Sequence, residues 1–326
     1  MSACCVITTI NSPTKAIEVL HEKFGDNLIV VGDLKTPDDW HYKDVRYISD
    51  TRNEHYSKYN HYARKNIGYI EAIKSGASLI YDTDDDNIPN ENWKIRKKQI
   101  PIERQLETGW INVYSWFCDQ YIWPRGFSLK DLHEHPYTSR GDWGVEDSPI
   151  QQGMADGSAD VDAIWRLVFK KENKFIYQKS IGIGKNQWCP FNSQSTWFFP
   201  RAYPLMYLPI YSTFRMCDIW RSFIAQRCLW EVGEAVTFHS PAEVFQDRNE
   251  HDLLKDLKDE MPGYLKNDKI ASILEGLELR KGEESICENL LTCYQSLCAN
   301  DILPSMEINS VKSWIKAYEN ATRNMG

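Results

Sequence analysis

The chain contains no apolar run approaching the roughly 20 residues that cross a bilayer, so no transmembrane segment is expected. It contains no C-x-x-C pair. Its nine cysteines are odd in number and scattered, which argues against structural zinc or a disulfide framework. Reduced thiols in a cytoplasmic setting are the simplest expectation. No block of Lys or Arg of any length is present, and 38 Lys and Arg face 46 Asp and Glu. With a formal charge of −8, binding to a nucleic-acid backbone is disfavoured. Met1 to Ile7 lacks a basic segment and a long apolar core and is not expected to be a signal peptide. Internal repeats and low-complexity segments are lacking as well. What is present is a 42% hydrophobic content over 326 residues, enough to bury a sizeable core in one large domain or two. Aromatic residues reach 13%; they fill cores, and they also form platforms for sugar rings or bases.

Charge of one sign is concentrated at one place. Asp82, Asp84, Asp85 and Asp86 fall within Tyr81–Asn87, directly after the apolar run Ser78-Leu79-Ile80. Carboxylates this close repel one another, and desolvation adds to the penalty. Hard divalent cations relieve it and commonly bridge to substrate phosphates. An acidic surface turn is the bland alternative. A calcium loop of the EF-hand kind fits Asp82, Asp84 and Asp86 as its first ligands, but Asn87 stands where its Gly belongs and Trp93 where its closing Glu belongs. The pattern therefore points to a metal–diphosphate site at the carboxyl end of a strand.

The preceding segment supports this. Ala63, Ile67, Ile70 and Ile73 recur at helical spacing and Gly76 ends the helix. Arg64, Lys65 and Asn66 lie on it, either as phosphate or base contacts or as a solvated face. Upstream, residues 3–8 read as a buried strand. Pro13 opens a helix with Ile17, Leu20 and Phe24 inward, and Leu28–Val31 and Val45–Ile48 read as further strands. This order predicts an α/β fold with a mostly parallel sheet. Ligands in such sheets sit beyond the carboxyl ends of the strands, so Thr8, Thr9, Asn11 and Asp33 should open onto the same edge as the acidic turn.

Downstream, Trp110–Phe117 reads as a strand, and residues 118–160 read as a long irregular segment of the kind that is usually functional. It contains His133-Glu134-His135, a metal pair if on a strand. Asp160 and Asp162 precede the helical run Ala163–Val168. They favour the helix dipole, and either is a candidate base for deprotonating an acceptor hydroxyl. From residue 251 three apolar stripes follow: Ile270/Ile273/Leu274/Leu277, Ile286/Leu290/Tyr294/Leu297 and Val311/Trp314/Ile315/Tyr318. These predict a C-terminal helical appendage.

A collinear set of short motifs resembles one family. Arg64-Lys65-Asn66-Ile67-Gly68-Tyr69, Ala72-Ile73, Gly76-Ala77 and Asp82-Thr83-Asp84-Asp85 are similar to the STELLO glycosyltransferase-like domain of plant Golgi proteins. So are Val31-Gly32-Asp33 with Lys35-Thr36-Pro37, Trp123-Pro124-Arg125-Gly126, Ile150-Gln151-Gln152-Gly153, Asp160-Val161-Asp162, Asn192-Ser193-Gln194 and Gln226–Glu231. The resemblance implies a GT-A fold over residues 1–250, with a nucleotide-sugar-binding half (1–117) and an acceptor half (118–250), followed by the helical extension 251–326. In that fold a D-x-D motif holds Mn²⁺ or Mg²⁺ on the diphosphate of a nucleotide-sugar donor. Asp82 and Asp84 fill those positions here. A third ligand, commonly His, would be His251, with His239 as the alternative. The plant proteins carry a membrane anchor, whereas this chain is expected to be soluble. Trp143–Asp147 resembles the acidic acceptor loop of other GT-A enzymes, so Glu146 and Asp147 rival Asp162 as base.

The expected function is thus a metal-dependent hexosyl- or pentosyltransferase acting on a nucleotide sugar, with UDP-sugars foremost. Thr9, Asn11 and Asp33 would seat the nucleoside, and Arg64, Lys65 and Arg125 would contact phosphate or sugar. Asp162, with Asp160 beside it, would serve an inverting displacement. The acceptor, whether glycan, lipid-linked or protein, is left open. The alternatives are a non-catalytic nucleotide-sugar scaffold or sensor, which needs the metal site but no base, and a nucleotide-sugar mutase, which needs no acceptor.

Overall fold

The protein is described by a computed structural model, which covers residues 2–132, 140–169, 171–247 and 252–323. Seven strands form the centre of its large sheet. They are β1 (Ala3–Thr9), β2 (Leu28–Gly32), β3 (Arg46–Ile48), β4 (Leu79–Thr83), β5 (Ile150–Gly157), β6 (Ser195–Phe198) and β7 (Val236–Gln246). They lie in the order β3-β2-β1-β4-β6-β5-β7. β1 to β4 are parallel, β6 runs antiparallel to both β4 and β5, and β7 is again parallel to β5. Strands Ile181–Ile183, Gln99–Gln105 and Arg140–Asp147 extend the sheet beyond β7, and the short strand Asn87–Pro89 also pairs with β7. This is an α/β fold with a mostly parallel central sheet. The chain steps outward from β1 to β3 and then returns to the other side of β1, which makes the β1/β4 gap its topological switch point.

Both faces of the sheet are covered, so β1 and β2 carry almost unbroken apolar runs. On one face sits α1 (Lys15–Phe24), capped by the Thr14 hydroxyl on the Ile17 amide and turned inward through Ile17, Leu20 and Phe24. On the other lie α2 (Lys65–Lys74), α3 (Ala163–Phe169), α4 (Cys217–Trp230), α5 (Leu253–Glu275), α6 (Ile286–Ala299) and α7 (Glu307–Arg323). The C-terminal helices share one apolar cluster with the sheet: Ile270, Leu290 and Trp314 pack into the same core as Ile29, Ile67 and Ile80. Glu307 of α7 is buried and accepts the amides of Ile210 (3.1 Å) and Tyr211 (2.9 Å).

Three local expectations are corrected. Arg64, Lys65 and Asn66 are fully buried, because α2 is enclosed from Lys65 to Ile73 and presents no solvated face along that stretch. Residues 110–117 are not one strand. Gly109–Trp110 is a two-residue strand and Val113–Phe117 a helix, which the Asn112 side chain caps through the Ser115 amide at 3.3 Å. The segment 118–160 contains two eight-residue strands, Arg140–Asp147 and β5. β5 is central yet polar. Its buried Gln151 donates to the carbonyls of Lys97 (2.8 Å) and Ser148 (3.0 Å), and Gln152 to Asn192 Oδ1 (3.0 Å).

Candidate active site

A cleft of about 670 Å³ opens at the switch point. Thr8, Thr9 and Asn11 from the end of β1, Asp33 after β2, and Asp84, Asp85 and Asp86 after β4 line it together. The acidic turn is tied to both sides. Asp85 accepts hydrogen bonds from the Thr9 hydroxyl and from Asn11 Nδ2 (3.0 Å). Asp86 accepts one from Gln246 Nε2 (3.0 Å), and its carbonyl accepts the Asp247 amide (3.0 Å), which fastens the turn to the end of β7. Gln194 completes this side, donating to Gln246 Oε1 at 2.8 Å and to the Ser158 carbonyl at 3.0 Å.

Asp82 is in a different environment. β4 continues three residues past Ile80, to Thr83, and so carries Asp82 inside the sheet, where it is fully buried. Lys65 Nζ donates to its Oδ1 at 3.0 Å. Arg221 Nη1 (3.0 Å) and the Ser193 hydroxyl (2.9 Å) donate to its Oδ2. Both oxygens are thus engaged, and Asp82 does not line the cleft. Lys65 also donates to the Thr83 carbonyl (2.6 Å), to Asp84 Oδ1 (2.9 Å) and to the Tyr62 hydroxyl (2.6 Å), which in turn donates to Asp84. Burial alone would lower the Lys65 pKa, but Asp82 and Asp84 outweigh it and hold the ammonium form. Burial raises the pKa of Asp84, and Lys65 opposes that rise. Part of the negative charge that suggested a metal is therefore neutralised from within, by Lys65 and Arg221.

The other expected residues divide the same way. Arg64 does not line the cleft; its guanidinium donates to the carbonyls of Gly32 (3.2 Å) and Arg52 (2.7 Å), closing the loop after β2. Arg125 and Asp160 do line it, but as a buried pair. Arg125 spans both Asp160 oxygens at 2.7 Å each and both Asp218 oxygens at 3.0 and 2.8 Å. Burial raises the Asp160 pKa, and Arg125 more than reverses this. Asp162 stands outside the cleft at the start of α3, accepting the Trp165 amide (2.8 Å) and Trp123 Nε1–H (2.7 Å). Burial pushes its carboxyl up to about 6. The Trp165 contact is that of a helix N-cap. His239 is buried inside the sheet against Ser180 (2.7 Å) and Gln151 (3.1 Å). Glu146 is paired with Arg104 and Asp147 with Lys98 (2.5 Å), on an outer strand. His251 and His133-Glu134-His135 lie outside the described residues.

Sequence reasoning missed several residues of the cleft. His61 Nδ1 accepts the Ala63 amide (3.1 Å), leaving Nε2–H to donate to the Ser212 carbonyl (3.0 Å). Burial lowers its pKa to about 4, so the ring is neutral. Phe214, Arg215 and Asp218 come from the loop leading into α4 and from its first turn. Asp252, Lys255, Asp256 and Asp259 come from the start of α5. A lone His, a Phe and a run of Asp in a helix carry no signal of their own in the sequence.

A family model, STELLO glycosyltransferases, matches residues 215–325. Two proteins of Arabidopsis thaliana are similar over most of the chain. Probable glycosyltransferase STELLO1 is 28% identical over 277 residues, covering 75% of this chain and 35% of that protein. Probable glycosyltransferase STELLO2 is 28% identical over 286 residues, covering 78% and 37%. The chain spans only a little over a third of the length of these curated relatives. Among solved structures, S. aureus TarS 1-349 in complex with UDP-GlcNAc aligns with 98% of this chain and 83% of its own, at 10% identity and a TM-score of 0.36.

Proposed function

Taking the chain as a relative of the STELLO glycosyltransferases, we propose that it is a metal-dependent glycosyltransferase whose nucleotide-sugar donor lies in the switch-point cleft. The observation that carries this is the charge of the cleft. Nine aspartates and four Lys or Arg line it, and two of those four, Arg125 and Arg215, are already paired with buried carboxylates. A diphosphate does not enter such a field unaided. A divalent cation beside the acidic turn offsets part of that charge and offers the diphosphate a direct ligand.

The residues present fit such a cation. Among the described residues no group of three or more His, Cys, Asp or Glu forms a ready-made site. Mg²⁺ and Mn²⁺, however, are commonly held by one or two carboxylates, with substrate phosphates and water completing the shell. Asp84 and Asp86 both reach the cleft and offer only oxygen, the donor type hard cations select. They replace the pair Asp82 and Asp84, since Asp82 is consumed by Lys65 and Arg221. The bound cation would supply charge neutralisation at the departing diphosphate. Lys65 and Tyr62 fix the Asp84 carboxylate. Thr9 and Asn11 fix Asp85 and, with Asp33, form the wall for the nucleoside. Of the expected bases Asp162, Asp160, Glu146 and Asp147, Asp160 alone lines the cleft, and Arg125 holds it ionised and oriented.

The test is calorimetric titration of nucleotide sugars in Mn²⁺ with the Asp84→Ala variant. The expected result is loss of metal-dependent binding in a folded protein; unchanged affinity rules the assignment out.

A further inference from the structure

Phe214 is an exposed aromatic residue in a cleft lined mostly by polar and charged side chains. It is 53% exposed and lines the cleft with Tyr62 and His61 behind it. Both rings meet it edge to face, at centroid distances of 5.6 and 6.4 Å and interplanar angles of 72° and 74°. Such contacts fix an aromatic ring while leaving other parts of its surface open. Its backbone is held on both sides. The Ser212 carbonyl accepts from His61 at 3.0 Å, the Thr213 hydroxyl donates to the Asp259 carbonyl at 2.7 Å, and Arg215 is clamped on Glu260 at 3.0 and 2.7 Å. The ring is therefore placed before any ligand arrives. Tyr62, which it touches, hydrogen-bonds Asp84, so one aromatic ring separates Phe214 from the acidic turn. Its anchors lead to α5 and not to β1 or β2, where the nucleoside wall lies.

A single exposed apolar side chain on a protein surface needs no explanation. This one differs in being pre-positioned inside a cleft that Asp252 and Asp259 also line, from the first turns of the helix on which Thr213 and Arg215 are anchored. An apolar face beside hydrogen-bond acceptors matches a pyranose ring, which offers a face of C–H groups and a rim of hydroxyl donors. We propose that Phe214 is a stacking platform for a pyranose ring bound beside the acidic turn, a residue that determines sugar specificity. The inference rests on the glycosyltransferase reading of the cleft. The ring belongs either to the transferred sugar of the donor or to the acceptor.

The experiment uses the whole chain with Mn²⁺, as wild type, Phe214→Ala and Phe214→Trp. Calorimetry compares UDP with UDP-glucose and GDP with GDP-mannose. Saturation-transfer NMR follows methyl β-D-glucopyranoside, methyl β-D-galactopyranoside and methyl α-D-mannopyranoside. A roughly tenfold loss in Phe214→Ala for a sugar nucleotide, with the matching nucleotide diphosphate unchanged and Trp restoring affinity, assigns the platform to the donor sugar. Unchanged nucleotide binding with loss of saturation transfer to a glycoside, again restored by Trp, assigns it to the acceptor. Either result supports the proposal. If wild type binds no nucleotide but a glycoside contacts the platform, the donor reading fails and the platform stands. Equal binding by wild type and Phe214→Ala of every sugar probe, or no sugar contact in wild type, overturns it.

Discussion

Replacing Asp82 by Asn tests the division between a structural carboxylate, Asp82, and the carboxylate proposed to hold the cation, Asp84. Its side chain is fully buried and receives Lys65 Nζ at 3.0 Å, Arg221 Nη1 at 3.0 Å and the Ser193 hydroxyl at 2.9 Å. The amide keeps the shape and removes the charge, leaving two buried cations short of a partner. Lys65 retains Asp84, but the described contacts of Arg221 then fall to neutral groups such as Ser193 (2.8 Å) and Tyr69 (3.2 Å). Breaking one side of a buried ion pair costs about 3–5 kcal/mol. At about 2.1 cal/mol/K of unfolding entropy per residue, a chain of 326 residues loses about 4–7 °C in Tm for that change. Asp84 is 24% exposed on its side chain, so Asp84→Asn should shift Tm much less while removing Mn²⁺-dependent ligand binding. The assay is thermal denaturation of both variants, in parallel with Mn²⁺-dependent titration of a nucleotide sugar. An Asp82→Asn protein with wild-type Tm and abolished metal dependence would refute the division of roles.

Further outcomes follow from the same contacts. Asp162 titrates near 6 when folded, against an ordinary value of 3.8. The folded state therefore keeps a proton that the unfolded chain releases, so this residue's contribution to stability is complete below about pH 4 and declines through pH 6. The decline amounts to roughly 3 kcal/mol and should vanish in Asp162→Asn, as read from denaturant midpoints across that range. Gly68 lies where α2 crosses β1 and β2, and a Cβ there would fall 2.5 Å from Val6 Cγ1 and 2.8 Å from Val31 Cγ2. Gly68→Val should destabilise by at least about 1–3 kcal/mol, and a denaturant midpoint at or above wild type would contradict that packing.

The sheet edge that forms the cleft was legible in the sequence because a parallel α/β unit leaves few choices. Apolar runs ending in Thr9, Gly32-Asp33 and the acidic turn must deliver those ends to one side of the sheet. What was not legible is the depth at which β4 ends. Tyr81-Asp82-Thr83 has the polarity of a turn, yet all three residues are strand and buried, because a cation arrives from α2 and another from α4. The first is 17 residues away in the chain and the second 139, so spacing cannot show either. The same tertiary pairing hides the role of Arg125, whose partners Asp160 and Asp218 are distant in sequence. β5 escaped notice because Gln151 and Gln152 stand where a core strand normally shows Val or Ile; their amides are satisfied only once neighbouring segments are in place. Asp162 carried two readings, a base and a carboxylate at a helix start, and the contact that spacing could not show is its acceptance of the Trp165 amide, as a helix cap makes it.

The most direct test of the metal–donor reading is a thermal-shift panel of UDP-, GDP-, CDP- and dTDP-sugars, each with Mn²⁺ and with EDTA. A ligand at about 100 times its dissociation constant stabilises by roughly 2.7 kcal/mol. The account predicts a shift with the sugars of one base, present in Mn²⁺, absent in EDTA and lost in Asp84→Ala. A folded protein that shows no shift with any of them, or the same shift in EDTA, would contradict it.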